Sequence, residues 1–348
     1  MARNIREMLE EQEVQTLHPR AAFSAGSAGR AEPDPEDDMR PAFQRDRDRL
    51  LHCKSFRRLK GKTQVFLAPR GDHYRNRLTH TLEVAQVGRS IARALRLNEM
   101  LVEAMVMGHD LGHTPFGHAG ERILSKLVPG GFHHVQQSGR VVDLLENDGR
   151  GLNLTAEVRD GILRHSKGRG DVLLSGEAQP RTLEAEIVRI ADIVAYVNHD
   201  LDDAERAELI AEGDVPAEIR RVLGARHSER LATLIGDVIR TTDLDGGGHV
   251  TLSTDVHAAL LALRDFLYAR VYENPVVHEE FQKAQRLLQD LWAWCTEDAA
   301  RCSQRFGIAP RAGEPPERAV ADFLSGMTDR FALETWEALF VPRPWAIV

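Results

Sequence analysis

From Arg40 to the C-terminus the apolar residues return every three or four positions, and a chain patterned this way must bury helix stripes against one another. Val84, Val87, Ile91 and Leu95 form one stripe, and Leu101, Val102, Met105 and Val106 form another. Residues 183–198 predict a long helix with few polar positions. The pattern continues through 256–267 and 276–294, and 319–340 reads as a final helical pair. Strand signals are sparse: residues 65–67 and 249–253 could supply at most a small hairpin or edge. Gly and Pro mark loops at 69–72, 167–171, 246–248 and 309–317, and no repeat at solenoid spacing is present. The expected fold class is all-α.

A length of 348 residues fits two domains, or one large domain with additions. Residues 21–38, rich in Ala, Gly, Ser, Pro and acids with a single Phe, bury too little apolar surface to offset ordering entropy. Residues 1–39 are therefore expected to be a flexible tail, with a short helix at 5–13 docking on a partner subunit. A central helical domain is expected over 40–230 and a C-terminal helical extension over 231–348.

Charge is unevenly spread. The net charge is −8, yet residues 40–77 hold twelve Lys or Arg against three Asp, a local +9. An acidic total disfavours a general nucleic-acid binder. A short basic segment points to a focused anion site, or else to a solvated charged face. No run approaches a membrane span, and the N-terminus lacks an apolar signal core, so a cytoplasmic protein is expected. Cys53, Cys295 and Cys302 form no CxxC pair, which disfavours a disulfide scaffold and a cysteine-rich zinc site. Cys295 and Cys302, seven apart, read as small core residues on one helix.

Histidine carries more information. Seven of the fifteen histidines, from His73 to His134, fall within one short stretch. His80 continues the stripe of Val84 and Val87, and His109 continues that of Val102 and Met105. A lone histidine on an apolar face is ordinarily a hydrogen-bonded core residue, but here two helices each carry one and Asp110 follows the second. Asp192 stands among Val188, Ile190, Ile193 and Val194. A carboxylate in such a helix must be paired, with an arginine for example, or coordinated. Together His80, His109, Asp110 and Asp192 offer two imidazoles and two carboxylates from three helices. Mixed N/O ligation without thiolate suits Mn²⁺, Fe²⁺, Co²⁺, Ni²⁺ or Zn²⁺. Such a site acidifies a bound water and polarises a phosphoryl oxygen.

These four residues resemble the H…HD…D signature of the HD phosphohydrolase superfamily. The flanking segments, 43–66, 73–87, 109–121 and 192–204, are similar to the deoxyguanosine triphosphate triphosphohydrolases and most of all to their bacterial "-like" branch. The similarity is strong over 40–204 and weak in the last third. It implies an HD-type core over 40–230 and a divalent ion, Mn²⁺ or Mg²⁺ first. The reaction it implies is cleavage of a deoxynucleoside triphosphate (dNTP) between the deoxyribose oxygen and the α-phosphorus, giving deoxynucleoside and tripolyphosphate.

The resemblance also implies roles. His118 with Glu121, three residues on, is the acid–base couple; without the family context the same spacing fits a helix-capping histidine beside a surface glutamate. His134 approaches the scissile phosphate. Here 132–140 reads FHHVQQSGR, where the family has approximately F-x-H-N-x-Q-S-L-R, so Val135 and Gly139 depart from the pattern. Arg77 contacts the α-phosphate, and His113 faces the same cleft. Gln64, Tyr196 and Asp200 enclose the sugar, the ring of Tyr196 against C2′ and Asp200 on the 3′-OH; from spacing alone Tyr196 fits a core tyrosine equally well. His165 and Ser166 lie near the pocket. His18, His52, His199, His227, His249, His257 and His278 fit no constellation and read as structural or exposed. Tetramers or hexamers are implied, with a second dNTP as an activator.

Two other readings remain open at this point. One is a different HD-type hydrolase, a 5′-nucleotidase or a cyclic- or alarmone-nucleotide phosphodiesterase. The other is a regulatory protein that binds nucleotides or single-stranded nucleic acid with weak catalysis.

Overall fold

The computed structural model describes residues 4–65, 74–166, 173 and 179–342. The loops expected at 69–72 and 167–171, residues 66 and 67 of the strand candidate, and His73 lie outside the described residues. Among the described residues the chain is all-α, as its spacing predicts, and β pairing is limited to two isolated bridges, Arg30 with Thr155 and Thr63 with Asn76. Residues 249–253 form no strand. Their backbone is satisfied by helix carboxylates instead: Val250 N donates to Glu186 and Ser253 N to Asp237.

The principal helices are α1 (Ile5–Thr16), α2 (Ala42–His52), α3 (Arg77–Ala94), α4 (Glu99–His109), α5 (Gly117–Leu127), α6 (His134–Arg140) and α7 (Ala156–Arg164). They continue as α8 (Leu183–Arg206), α9 (His227–Thr241), α10 (Thr254–Leu267), α11 (Pro275–Glu297), α12 (Pro316–Gly326) and α13 (Asp329–Phe340). Asn76 opens α3 with a reciprocal capping box, Asn98 caps α4 and Thr182 caps α8. These three helices form the centre. The stripe of Val84, Val87 and Ile91 meets α4, which is buried from Leu101 to Met105 on nearly every side, and α8 through Ile187 and Ala191. Each such side chain contributes about 1.5–3 kcal/mol of burial. Gly88 lets α3 approach α4, since a Cβ there would stand 2.8 Å from Val102 Cγ1. His80, His109 and Asp192 therefore ride on three helices whose spacing is fixed by core packing.

Three expectations need correction. The segment before residue 40 is not a free tail. The helix expected at 5–13 forms as α1, and the Gly- and Pro-rich stretch after it is fastened to the core by polar groups. Ala22 N donates to Glu184, Ser24 donates to Glu13, and Arg30 pairs with the buried Asp46. Apolar content alone underestimated this segment, because ion pairs and backbone hydrogen bonds offset its ordering.

The boundary near 230 is not where the packing divides. One apolar core runs on through Leu234, Val238, Leu260 and Leu267 to Val271. A second joins α11, α12 and α13 to α5, through Leu124, Phe116, Leu288 and Leu324. The C-terminal unit thus begins near α11 and shares its core with the helix that bears His118 and Glu121. Finally, Cys295 and Cys302 lie on two successive helices, α11 and 299–306, rather than one. Asp298 separates them as an N-cap whose side chain accepts from Arg301 N, and both thiols are buried and free.

Candidate metal and phosphohydrolase site

Four residues from three helices converge at the centre. His80 Nε2 and His109 Nε2 face each other at 3.4 Å. Asp192 Oδ1 lies 3.2 Å from the first and 4.0 Å from the second. Asp110, the C-cap of α4, brings Oδ2 to 3.8 Å from His80 Nε2 and Oδ1 to 3.5 Å from His109 Nε2. The ring orientations are fixed from behind. His109 Nδ1 donates to the Val106 carbonyl, 2.7 Å away, which leaves a lone pair on Nε2. His80 Nδ1 bonds His199 Nε2 at 2.8 Å. Two imidazole nitrogens turned toward one point, with carboxylate oxygens beside them, form a cluster of electron-pair donors. The donor set therefore fits a divalent ion, and the His80–His109–Asp110 group holds one ligand atom per residue within 4.8 Å.

Sequence reasoning missed His199, read above as structural or exposed. It is fully buried and directly behind His80. Its signal was available, since His199 lies seven residues after Asp192 on α8 and so shares its face.

Beside the metal ligands lies a second histidine group. The rings of His113 and His134 stack at 4.0 Å between centroids. His113 reaches this place from the loop after α4, not from a continuing helix, because α4 ends at His109. Burial holds the His113 imidazole well below its usual range, and nearby Arg77 adds to the effect, so this ring is neutral. His134 donates to Glu121 from both its backbone N and Nδ1, each at 2.8 Å. Burial alone would raise the Glu121 carboxyl, but the neighbouring His118 and the hydrogen-bonded His134 hold it well below the carboxylate range.

Glu121 thus stands between two histidines. His118 Nδ1 lies 3.8 Å from Glu121 and its side chain is 62% exposed at the rim, whereas His134 is the buried, closer partner. The i, i+3 spacing was correctly read as one face of α5. The closer partner came from α6, which sequence spacing could not place. Gly139 accounts for one departure in that segment: a Cβ there would meet Leu163 Cδ2 at 2.6 Å, so Leu163 of α7 fills space a larger residue would need. Ser138 anchors α6, with Oγ donating to the His109 carbonyl and accepting from Gly112 N.

Arg77 is buried and donates from Nη1 to Asp110 Oδ2 at 2.7 Å, while its Nε has no partner. Among the described Lys and Arg residues of the basic segment, it is the one that lines the cavity. Most of the others are matched elsewhere: Arg40 and Arg45 by Asp37 and Asp34, Arg49 by Asp34, and Arg75 by Asp203. Much of the local +9 is therefore offset by carboxylates, chiefly Asp34 and Asp37 just before the segment and Asp203 far along the chain, and the solvated-face reading fits these residues.

A cavity of about 370 Å³ joins these groups, with Gln64, His113, His165, Tyr196 and Asp200 in its wall. An adjoining space of about 290 Å³ continues past His118, Tyr268 and Tyr272 toward α11. Gln64 Oε1 is buried and unpartnered. Asp200 accepts a hydrogen bond from the Tyr272 hydroxyl, a partner from the C-terminal third that the sequence did not suggest. His165 is buried at 5.1 Å from the His109 ring, and burial, reinforced by His109 and His134, lowers it to about 3.

The pattern of sequence similarity agrees with this geometry. The HD domain model matches residues 77–197, and the phosphohydrolase-associated domain model matches 250–338. A deoxyguanosinetriphosphate triphosphohydrolase-like protein of Caldanaerobacter subterraneus subsp. tengcongensis is 48% identical, covering 98% of this chain and 97% of its own. The chain belongs to the deoxyguanosinetriphosphate triphosphohydrolase-like family of HD phosphohydrolases. Family members of the same description from Desulfatibacillum aliphaticivorans and Clostridium tetani are 48% and 41% identical, over 98% of this chain in each case and 99% and 97% of their own lengths. A solved structure of a hypothetical protein from Aquifex aeolicus matches 83% of this chain and 67% of its own, with a TM-score of 0.46 and 18% identity. The span matched by the HD model contains His80, His109, Asp110 and Asp192, the four that converge here, and the associated region supplies Tyr268 and Tyr272 to the wall. Among the described residues no helix is long and apolar enough to cross a membrane.

Proposed function

We propose that this chain is a divalent-metal-dependent hydrolase of dNTPs, dGTP among them, releasing deoxynucleoside and intact tripolyphosphate. The observation that carries the reading is the single cavity in which the His80–His109–Asp110 cluster, Arg77 and the His134–Glu121 pair meet. His80, His109, Asp110 and Asp192 would hold the metal. When bound, that ion would polarise a phosphoryl oxygen and acidify a water. Mn²⁺ or Mg²⁺ is the first expectation, and the N/O donor set also accommodates Fe²⁺, Co²⁺, Ni²⁺ and Zn²⁺.

The protein's own groups divide the remaining work. Arg77 is an always-charged group whose fork geometry suits phosphate, and it neutralises charge next to Asp110. Glu121 fixes the Nδ1–H tautomer of His134, so the other ring nitrogen is free to exchange a proton with the leaving sugar oxygen. The neutral His113 stacks behind it and can contact phosphate without competing for that proton. His118, at the rim beside Glu121, is the second histidine placed to exchange a proton or steer a water. Gln64, Tyr196 and Asp200 form the sugar end: the ring of Tyr196 limits room at C2′, and buried Gln64 and Asp200 oxygens await a 3′-OH donor. The working form is a cytoplasmic homo-oligomer, a tetramer or hexamer, with a second dNTP as activator.

Product analysis tests this. Each dNTP, alone and mixed, is incubated with the protein and Mn²⁺ or Mg²⁺, beside Asp110→Ala and His134→Ala. Deoxynucleoside plus tripolyphosphate, lost in both variants, is the expected result, and turnover confined to mixtures would identify an activator. Monophosphate plus pyrophosphate would move the attack to another bond and overturn the assignment.

A further inference from the structure

The C-terminal unit touches the candidate site at a place no ligand or acid–base role explains. Asp329 is the first residue of α13, and its carboxylate points away from its own helix. Oδ2 accepts from Thr63 N at 2.8 Å and from the Thr63 hydroxyl. Oδ1 accepts from Phe116 N at 2.8 Å. One carboxylate therefore ties together two segments far apart in sequence. Thr63 precedes Gln64. Phe116 precedes α5, which carries His118 and Glu121.

Phe116 is in the left-handed region, at φ +62°, uncommon for any residue but glycine and a genuine outlier for one this bulky. Such backbone persists only where its surroundings over-determine it. Here the surroundings are explicit. The Phe116 ring is buried in the core shared with α11 and α12, and its N–H is held by Asp329. The turn also packs against the substrate wall, since a Cβ on Gly117 would meet Gln64 O at 3.3 Å and Arg77 Nη2 at 3.5 Å. A second strut runs alongside. The buried Lys62 ammonium donates to the Ser325 carbonyl at 2.8 Å and also to the His113 carbonyl. Gly61 lies against Thr328, the N-cap of α13. Lys62 and Asp329 attract each other across this junction, each bonded to the backbone of a site-bearing segment.

We propose that Asp329 is a positioning residue: by pinning the strained Phe116 turn to Thr63, it sets the Glu121–His134 pair and Gln64 in register with the metal ligands. The assignment of work to Glu121, His134 and Gln64 rests on the function proposed above; the pinning of the turn does not. The C-terminal unit then acts on turnover from outside the cavity, through one carboxylate.

The test uses the full chain with Asp329→Asn, in which an amide NH₂ must face one of the donors, and Asp329→Glu, which keeps the charge but displaces it. Leu324→Ala serves as a comparison, since it loosens the same C-terminal core without touching Thr63 or Phe116. Hydrogen exchange and steady-state kinetics are measured together with Mn²⁺ affinity by calorimetry. In both Asp329 variants, amides of 113–121 should exchange faster than in Leu324→Ala at equal folded fraction. The kcat should fall at least tenfold with KM within threefold and Mn²⁺ affinity within threefold of the unaltered protein. A folded Asp329→Asn or Asp329→Glu with unchanged exchange at 113–121 overturns the proposal. So does an equal loss of kcat in Leu324→Ala, which would reduce Asp329 to a stability contact. An unaltered protein that turns over no dNTP would instead overturn the substrate assignment, leaving the exchange experiment to decide the role of Asp329.

Discussion

His80 Nε2 and His109 Nε2 face each other at 3.4 Å, each ring held from behind by a hydrogen bond at its Nδ1. The arrangement is pre-formed by helix packing, so metal binding needs little rearrangement of the protein. It also gives the metal a measurable effect on stability. At about a hundredfold excess over its dissociation constant, a ligand that binds only the folded state adds about 2.7 kcal/mol. Mn²⁺ should therefore raise the melting temperature of the unaltered protein by several degrees, and chelation should reverse the gain. In Asp110→Ala or His109→Ala the shift should disappear, along with at least a hundredfold of activity. A full Mn²⁺ shift in both variants would remove these residues from the ligand set.

His199 offers a finer test. It is not itself turned toward the metal position, yet its Nε2 bonds His80 Nδ1 at 2.8 Å and fixes that ring, while its Nδ1 lies 2.7 Å from Asp200 Oδ1. Outer-shell partners of this kind typically matter by about 10–100-fold in metal affinity or activity. His199→Ala should weaken Mn²⁺ binding by that order in calorimetry, with the helical circular dichroism unchanged. His199→Gln, which can still accept from His80 Nδ1–H, should recover part of the loss. Equal affinities in all three proteins would assign His199 to packing alone.

Much of this architecture was readable beforehand, and the exceptions share a cause. Helix periodicity places His80, His109 and Asp192 on buried faces because each position is fixed by its own helix. The same logic found α1 and the long α8. What spacing could not supply were partners set by tertiary packing. Glu121 and His134 are thirteen residues apart and meet only because α5 and α6 converge. Arg30 and Asp46, or Asp329 and Thr63, depend on how distant segments dock. The basic segment divides between the two readings offered for it: Arg77 faces the cavity, while Arg40, Arg45 and Arg49 pair with Asp37 and Asp34, in a stretch that composition alone read as a tail.

Glu121 is the residue whose replacement best separates proton transfer from metal binding. Its carboxyl is held well below the usual range, so it stays ionised throughout neutral and mildly acidic pH. Glu121→Gln removes the charge that orients His134 but leaves the metal ligands untouched. We expect kcat to fall by about 10²–10⁴-fold, the range typical of general acid–base groups, with Mn²⁺ affinity within threefold. In the unaltered protein no limb of the kcat profile between pH 5 and 8 should belong to Glu121. An activity within threefold of normal in Glu121→Gln would exclude the carboxylate from proton transfer.

Lys62 makes a prediction about stability and pH with a definite sign. Burial, together with the charges of Arg58 and Arg77, lowers its ammonium to about 7. The exposed lysine of an unfolded chain keeps its proton to about 10.4. Below about pH 7 both states hold the proton, and the folded state bears the full cost of burying the charge. Between about 7 and 10.4 the folded state releases the proton while the unfolded state keeps it, so this group makes stability rise with pH. The slope for one proton is at most about 1.4 kcal/mol per pH unit. A neutral amine still has two N–H groups for the Ser325 and His113 carbonyls, so the contacts need not break. Lys62→Met removes the titration but strands both carbonyls, which lowers stability by about 1–3 kcal/mol for each. Urea unfolding of both proteins at pH 6.5, 7.5 and 8.5 isolates the term, because every other titrating group is common to the pair. The unaltered protein should gain about 1–2 kcal/mol over the variant across that interval. Parallel pH profiles for the two proteins would mean that Lys62 keeps its proton throughout, stabilised by Asp329 strongly enough to cancel its burial.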